Sequence, residues 1–527
     1  MADVTGWLRI DLANVWNKPK GPGSRVISTL AWGDEVTVTG KEQGAFRVRL
    51  RLLSTGTGPA ALSDVTGYIR AGRITQAQLI ETDRSASRVL RIDFVDVQQG
   101  DAAVVETPGG AVMLIDGGDN QLFARYLASR FRGSSAANPK DIACIVVTHG
   151  DADHFAGLAE IQASEAYTGG SAARKRLFIN PAAVYHNGLV KGPSTAGGRR
   201  ASETTLLGTT RKDASGVLHV TRLVNDPREV PRDKMNQPFQ EWADALNAWD
   251  ARRQSLGQPL ISIGRLSRTS AAPGGVDPFS VFTAEQIRFE VLGPIESVVA
   301  GRPALRFLGE PVPKVDRQPG QSQVLFHGAS ASHTINGHSL VLRLTYGKLR
   351  VLFAGDLNEE AERVLTGDHA NGAVDLTSEV FKVPHHGSAD FDPAFLKAVS
   401  PVVSVISSGD ENAQKEYIHP RATLLGALSR QGRPGIEEPL IFVTELAAFF
   451  QTEGWVFNDP SRLRPGRQVS KRKGLFFAFR RKAFGIVKVR SDGERMLVYT
   501  YSGKDDLKEA YAFRLGDPIA VDAIRKC

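Results

Sequence analysis

The sequence predicts a mixed α+β protein whose buried strands stop on ligand-type side chains, with a small all-β barrel ahead of it. Three observations predict this. Four apolar runs each end on a histidine or an aspartate: Val112–Ile115 on Asp116, Ile145–Val147 on the stretch from His149 to His154, Val351–Ala354 on Asp356, and Val380–Pro384 on His385 and His386. Segments with helical periodicity follow the first two runs, at 120–132 and 155–166. The first 78 residues hold only short strand-like stretches separated by turn clusters. Short apolar runs bounded by turn residues read as buried strands.

Along the chain, Arg25–Leu30, Glu35–Thr39, Phe46–Leu50 and Gly67–Ile69 are strand-like and closely spaced, which is the pattern of a small barrel over residues 1–78. Residues 79–88 read as a linker. The second domain, 89–527, opens with a strand from Leu90 to Val97, a turn at Gln98–Asp101 and a strand at Ala102–Glu106. The helix at 120–132 presents Leu122, Tyr126, Leu127 and Phe131 near one face. From about 168 to 284 the patterning weakens, apart from one helix carrying Trp242 and Trp249. This stretch is expected to be an insertion over the site, since long loops inside compact domains are usually functional or mobile. Strands resume at Ile287–Leu292.

Composition narrows the class. The chain has 527 residues, 42% hydrophobic and 23% charged, enough for two or three globular domains. Its net charge of +8 fits either an anionic partner or a modest excess of arginine on a solvated surface. Two cysteines, Cys144 in an apolar run and Cys527 at the end, make no disulfide framework. No leader-like start and no uncharged apolar run of 18 residues is visible. A cytoplasmic protein with no membrane partner is therefore expected.

The ligand-type residues form a pattern. Residues two apart in an extended loop point the same way, so His149 and Asp151 suit one ion while Asp153 and His154 turn toward another. Asp356 is placed to bridge them, and His385 to complete the ligand set of the second ion. Ligands drawn from several independent strand ends are the inventory of a two-metal hydrolytic site. His338, just before a strand, is equally a ligand or a loop histidine near the rim.

At this point the chain resembles the metallo-β-lactamase superfamily. It is most similar to the soluble domain of ComEC-type DNA-uptake proteins and their stand-alone relatives. The motifs are Asp96 to Ala102, Ile115 to Gly118, Ser339 to Leu344, Phe353 to Asp356, Val383 to Ser388 and the pair His419-Pro420. The resemblance implies an αββα sandwich and two divalent metal ions, zinc or manganese, which acidify a water for attack on a phosphoryl or carbonyl group. Where the superfamily commonly has a second histidine, this chain has Asp151, and an added carboxylate makes manganese a plausible ion beside zinc. Asp116 matches the aspartate that orients a metal-bound histidine. Asp153 holds an ion and its water, and His386 or His419 is the candidate acid for the leaving group. His386 also fits a purely orienting hydrogen bond. Residues 1–78 resemble bacterial SH3-type domains, which dock peptides, glycans or proteins.

A basic extension, about 447–484, separates Thr444-Glu445 from Gly485-Ile486-Val487. It interleaves cations, among them Arg472, Lys473, Arg480 and Arg481, with Phe476, Phe477, Phe479 and Phe484. Such a mixture suits a groove that tracks a nucleic-acid backbone, or else a solvated loop running into an apolar strand. The expected function is a metal-dependent phosphodiesterase or nuclease. Two alternatives stay open: a small-molecule hydrolase of the same fold acting on an ester, lactam or cyclic nucleotide, and an interaction protein recruited through residues 1–78. The corresponding partners are nucleic acid and a protein bound by the barrel.

Overall fold

The structure is a computed structural model. It describes residues 2–53, 62–70, 72–170, 172–196, 198–269, 277–311, 326–409, 419–436, 439–445, 454–457, 475–478, 485–501, 509–516 and 520–526. Arg472, Lys473, Arg480 and Arg481 lie outside the described residues.

Two sheets face each other across the main core. The larger has ten strands, in the order Ser262–Arg265, Ala183–His186, Cys144–Val146, Val112–Asp116, Ala102–Glu106, Leu90–Phe94, Ile486–Ser491, Arg495–Tyr501, Glu509–Arg514 and Ala520–Lys526. The smaller has six: Ile287–Gly293, Val341–Tyr346, Leu349–Phe353, Val380–Lys382, Val403–Ile406 and Leu440–Val443. Ile92, Phe94, Val105, Met113 and Val146 from the first pack against Leu342, Leu344, Val351, Phe353 and Val403 from the second. Both outer faces carry helices. Leu122–Arg130, Ala152–Ala163 and Gln237–Ser255 cover the larger sheet, and Glu359–Ala370, Pro393–Val399 and Ala422–Leu428 the smaller. Strands buried on both faces cannot alternate apolar with polar residues, which is why they read as short apolar runs. The layers are helix, sheet, sheet, helix, the αββα sandwich that the resemblance implies.

Within each sheet one half is parallel. Val112–Asp116, Cys144–Val146, Ala183–His186 and Ser262–Arg265 run the same way, as do Leu349–Phe353, Val380–Lys382, Val403–Ile406 and Leu440–Val443. Parallel strands bring their carboxyl ends to one rim, where ligands bind in open α/β sheets. The residues that follow four of these strands meet there.

The stretch 168–284 departs from the expectation of an insertion. Ala183–His186 and Ser262–Arg265 belong to the larger sheet, and Gln237–Ser255 is part of its helical layer. Trp242 and Trp249 are buried edge to face there, with ring centroids 5.6 Å apart. The true excursion over the rim runs from about Asn187 to Met235. It carries two strands, Thr210–Lys212 and Leu218–Val220, that pair in a small sheet with Arg302–Arg306 and Ser297–Val299.

The amino-terminal unit is a seven-stranded antiparallel sheet around Val15, Val36, Phe46, Val48 and Ile69. It takes in Ile80–Glu81, paired with Trp7 and Leu8, so the sheet runs into the residues expected to be linker. It docks on the sandwich. Leu12, Ala31 and Trp32 pack on Val89, Leu497, Tyr499 and Ala512, and the Arg495 guanidinium stacks 3.7 Å over the Trp32 ring. Of the basic extension, Gly454–Phe457 and Leu475–Ala478 form an antiparallel pair. Among the described residues, no helix is long and apolar enough to cross a membrane.

Candidate metal centre

Asp116 ends its strand with φ at +57°, a left-handed turn that costs a non-glycine residue on the order of 1–2 kcal/mol. The turn sends its carboxylate back across the rim. Oδ1 accepts the Thr148 N–H and Oδ2 the Thr148 hydroxyl, both at 2.7 Å. Oδ2 also lies 2.9 Å from His154 Nδ1. With Nδ1 so engaged, His154 points Nε2 at Asp356 Oδ1, 3.3 Å away. A carboxylate that fixes one ring nitrogen leaves the other bare for a metal.

His386 is held in the same way. Its Nδ1 faces the Ser407 carbonyl at 3.2 Å and Asp101 Oδ1 at 3.4 Å. Its Nε2 lies 3.1 Å from Asp356 Oδ2 and 3.4 Å from Asp153 Oδ2. Asp153 is steadied by the Gln99 amide at 3.1 Å. Asp101 also pairs with the buried Lys382 ammonium, which donates to the Gly355 carbonyl at 3.2 Å. Asp101, His154, Asp356 and His386 form one tight group of potential metal ligands. Asp101 lies on the Nδ1 side of His386, so its geometry there is that of an orienting carboxylate. His149 adds a third ring. Its Nε2 is 4.0 Å from Asp356 Oδ2, and its ring centroid is 4.0 Å from that of His154.

The donor set fits a divalent cation. The Nε2 atoms of His149, His154 and His386 are buried and have no hydrogen-bond partner, although all three face Asp356. Burial disfavours charge on His154 and His386. The carboxylates of Asp356 and Asp116 outweigh it at His154, and those of Asp356 and Asp101 at His386, holding both rings well above the ordinary histidine value. Asp356 itself is held well below the usual carboxylate range despite burial, because His386 and His154 flank it. Without a metal, the pocket thus gathers protons to balance its carboxylates, and a cation would displace them. Mixed imidazole and carboxylate donors suit zinc and manganese.

Several expected ligands stand elsewhere. His385 is not in the group. His385 and His386 both have left-handed backbones, with φ at +51° and +52°, and their rings sit 6.3 Å apart. This tandem turn sends His386 into the centre and leaves His385 Nε2 3.5 Å from the Asn336 amide. His338 caps the helix Ala331–Gly337 and turns its Nε2 to the Arg306 carbonyl at 2.7 Å. Burial pulls it down to about 4, which favours the neutral ring. Asp151 lies on Lys191 Nζ at 2.6 Å. His419 stands behind the centre, 6.4 Å from the His386 ring; burial and then His386 pull it down to about 3.

Sequence reasoning missed Asp101, Gln99, Lys382 and Lys191. The first two lie within or beside motif residues already quoted, Asp96 to Ala102, but at the start of a strand rather than its end. Gly100 explains that turn. Its φ is +100°, and a Cβ there would sit 1.8 Å from the Asp153 carbonyl oxygen. Gly100→Ala should therefore push the loops of Asp101 and Asp153 apart. Because a misplacement near 1 Å can cost about a hundredfold in rate, turnover is expected to fall on that order and bound metal with it. Wild-type turnover and metal content in the folded variant would contradict this.

Comparison with known proteins agrees with the fold. Residues 95–220 match the family model of the metallo-beta-lactamase superfamily. The chain is 38% identical over 98 residues to Competence protein ComA of Neisseria gonorrhoeae, a stretch that is 18% of this chain and 13% of that protein. The chain thus spans only a small part of that relative's length. It also aligns with the crystal structure of Tm1679, a metal-dependent hydrolase of the beta-lactamase superfamily. That alignment has 12% identity and a TM-score of 0.29, and it covers 68% of this chain and 97% of that one. A likeness at that score carries no argument of its own. Residues 95–220, which run through the larger sheet of the αββα sandwich, are thus similar to the metallo-beta-lactamase superfamily.

Proposed function

We propose that the protein is a phosphodiesterase that cleaves nucleic acid. The observation that carries the hydrolytic reading is the pair of carboxylate-oriented histidines, His154 and His386, converging on Asp356. A zinc or manganese ion held by these three, with Asp153 and His149 beside them, would acidify a water and polarise the phosphoryl group. The chain's own residues do the rest. Asp116 fixes the proton of His154 at Nδ1. Ser407 and Asp101 do so for His386. Gln99 holds Asp153 at the edge of the centre, where a water would be oriented. Lys382 pairs with the buried Asp101 carboxylate and partly balances its charge. Nucleic acid is favoured as substrate by the surplus of eight positive charges and by the similarity to a competence protein.

The test contrasts a polymer with a small substrate. Replacing Arg472, Lys473, Arg480 and Arg481 by alanine should weaken binding of single-stranded DNA. It should also flatten the slope of log K against log salt by about 3, at about 0.7 per phosphate contact. Cleavage of a nitrophenyl phosphodiester should survive. An unchanged slope with unchanged DNA cleavage would remove the role of this segment, and activity on esters alone would favour the small-molecule reading.

A further inference from the structure

We infer that the centre holds one divalent ion, and that the Lys191 ammonium takes the place of a second. The inference rests on reading the His–Asp group as a metal centre. It adds the stoichiometry and names the residue that sets it.

A second ion, beside His149, would need Asp151 and at least one of His338 and His385. Asp151 and His338 are engaged with protein, and His385 is engaged through Nε2 while its buried Nδ1 has no hydrogen-bond partner. Asp151 Oδ1 accepts from Lys191 Nζ at 2.6 Å. Turning the Asn336 amide over lets its nitrogen donate to Asp151 Oδ2 and to the Ser332 carbonyl, both at 3.1 Å. The other end of that amide faces His385 Nε2 at 3.5 Å. A polar chain, Lys191–Asp151–Asn336–His385, thus runs along the rim where the second ion would sit. His338 is turned to Arg306. His149 keeps a bare Nε2, which faces Asp356 together with the bare Nε2 atoms of His154 and His386. These three bare Nε2 atoms converge on the single carboxylate of Asp356.

Lys191 is not a loose surface lysine. Its side chain is 24% exposed. Its carbonyl accepts from the N–H of Asn236, the residue that caps the helix Gln237–Ser255 through a 3.1 Å bond to Phe239 N–H. The Phe239 ring packs on Phe155, in the helix that starts beside Asp151, and stands where a Cβ on Gly150 would be 3.1 Å away. The excursion over the rim therefore delivers the ammonium to the His149–His154 loop from a fixed support. A divalent ion on Asp151 would have to displace this ammonium or sit within a few ångströms of it, where like charges repel by several kcal/mol even at an effective dielectric near 20.

Metal content tests this directly. Protein stripped with a chelator, reloaded with excess manganese and desalted should carry one ion per chain, with the paramagnetic resonance spectrum of isolated Mn(II). Lys191→Met should raise the content about twofold and give an exchange-coupled spectrum. Lys191→Arg, which keeps a cation there, should stay at one. Two ions per wild-type chain, or a coupled wild-type spectrum, would overturn the inference whatever the variants do. So would a Lys191→Met protein with native circular dichroism that stays at one. Absence of any bound metal would instead sink the metal-centre reading. One bound ion without DNA cleavage would sink only the substrate reading and leave the stoichiometry standing.

Discussion

Asp356→Ala is expected to empty the centre and to reduce phosphodiester cleavage by at least roughly a thousandfold, about 4 kcal/mol in the barrier. Both oxygens of this carboxylate face the cluster. Oδ1 meets His154 and accepts the His385 N–H at 3.2 Å, and Oδ2 meets His386 and stands 4.0 Å from His149. No other side chain touches both oriented histidines through their Nε2 atoms in this way among the described residues. The loop that carries it is fixed independently. The Asp356 N–H donates to the Ser339 hydroxyl at 3.0 Å, and Gly355 turns with φ at +51°, where a Cβ would meet Ser339 at 2.7 Å. The variant should therefore fold, with its losses confined to the centre. Elemental analysis and turnover on a nitrophenyl phosphodiester, alongside circular dichroism, check this. Full metal occupancy in the variant would remove Asp356 from the centre.

That prediction could be framed from the sequence because strand ends are legible. Val351 to Phe353 is buried, so a carboxylate three residues beyond the strand has to emerge at the rim. The same logic finds Asp116 and the loop from His149 to His154. It fails where direction depends on backbone turns rather than on strand phase. Nothing in His385-His386 says that both residues adopt left-handed turns, and hence which ring enters the centre. It fails again for Asp151, whose partner Lys191 lies 40 residues away, in a region with no periodicity to place it. Asp101 and Lys382 were hidden for another reason. A buried lysine paired with a buried aspartate is rare without a tertiary partner, and the partner is invisible in one dimension. The strands Ala183–His186 and Ser262–Arg265 are too short to signal sheet membership, so the stretch around them reads as a loop.

The largest expected loss of stability lies away from the centre, at Asp93. Three side chains of Leu90–Phe94 face the other sheet, namely Leu90, Ile92 and Phe94. Arg91 and Asp93 alternate to the opposite face. There Asp93 Oδ1 accepts from Arg490 Nη1 at 2.8 Å, and Oδ2 takes Arg130 and Tyr126 from the helix Leu122–Arg130. Glu106 shares Arg130 and also holds Arg84, with Arg91 at 3.8 Å. Arg91 reaches on to the Gly33 carbonyl of the amino-terminal sheet at 2.7 and 3.1 Å. Two carboxylates thus tie four arginines, a helix and the amino-terminal unit to one strand. Burial pulls Arg130 down to about 9 and Arg91 to about 10, so both stay charged near neutral pH. Asp93→Ala would leave Arg490 buried without its counter-charge and Arg130 with Glu106 alone. Breaking a buried pair from one side costs about 3–5 kcal/mol, because the surviving charge cannot be resolvated. Denaturant titration should show a loss of that size, whereas metal content at low temperature should match wild type, since no member of this cluster touches Asp356. A loss below about 1 kcal/mol would mean that water or backbone carbonyls satisfy the guanidiniums, and that the strand is held by its apolar face alone.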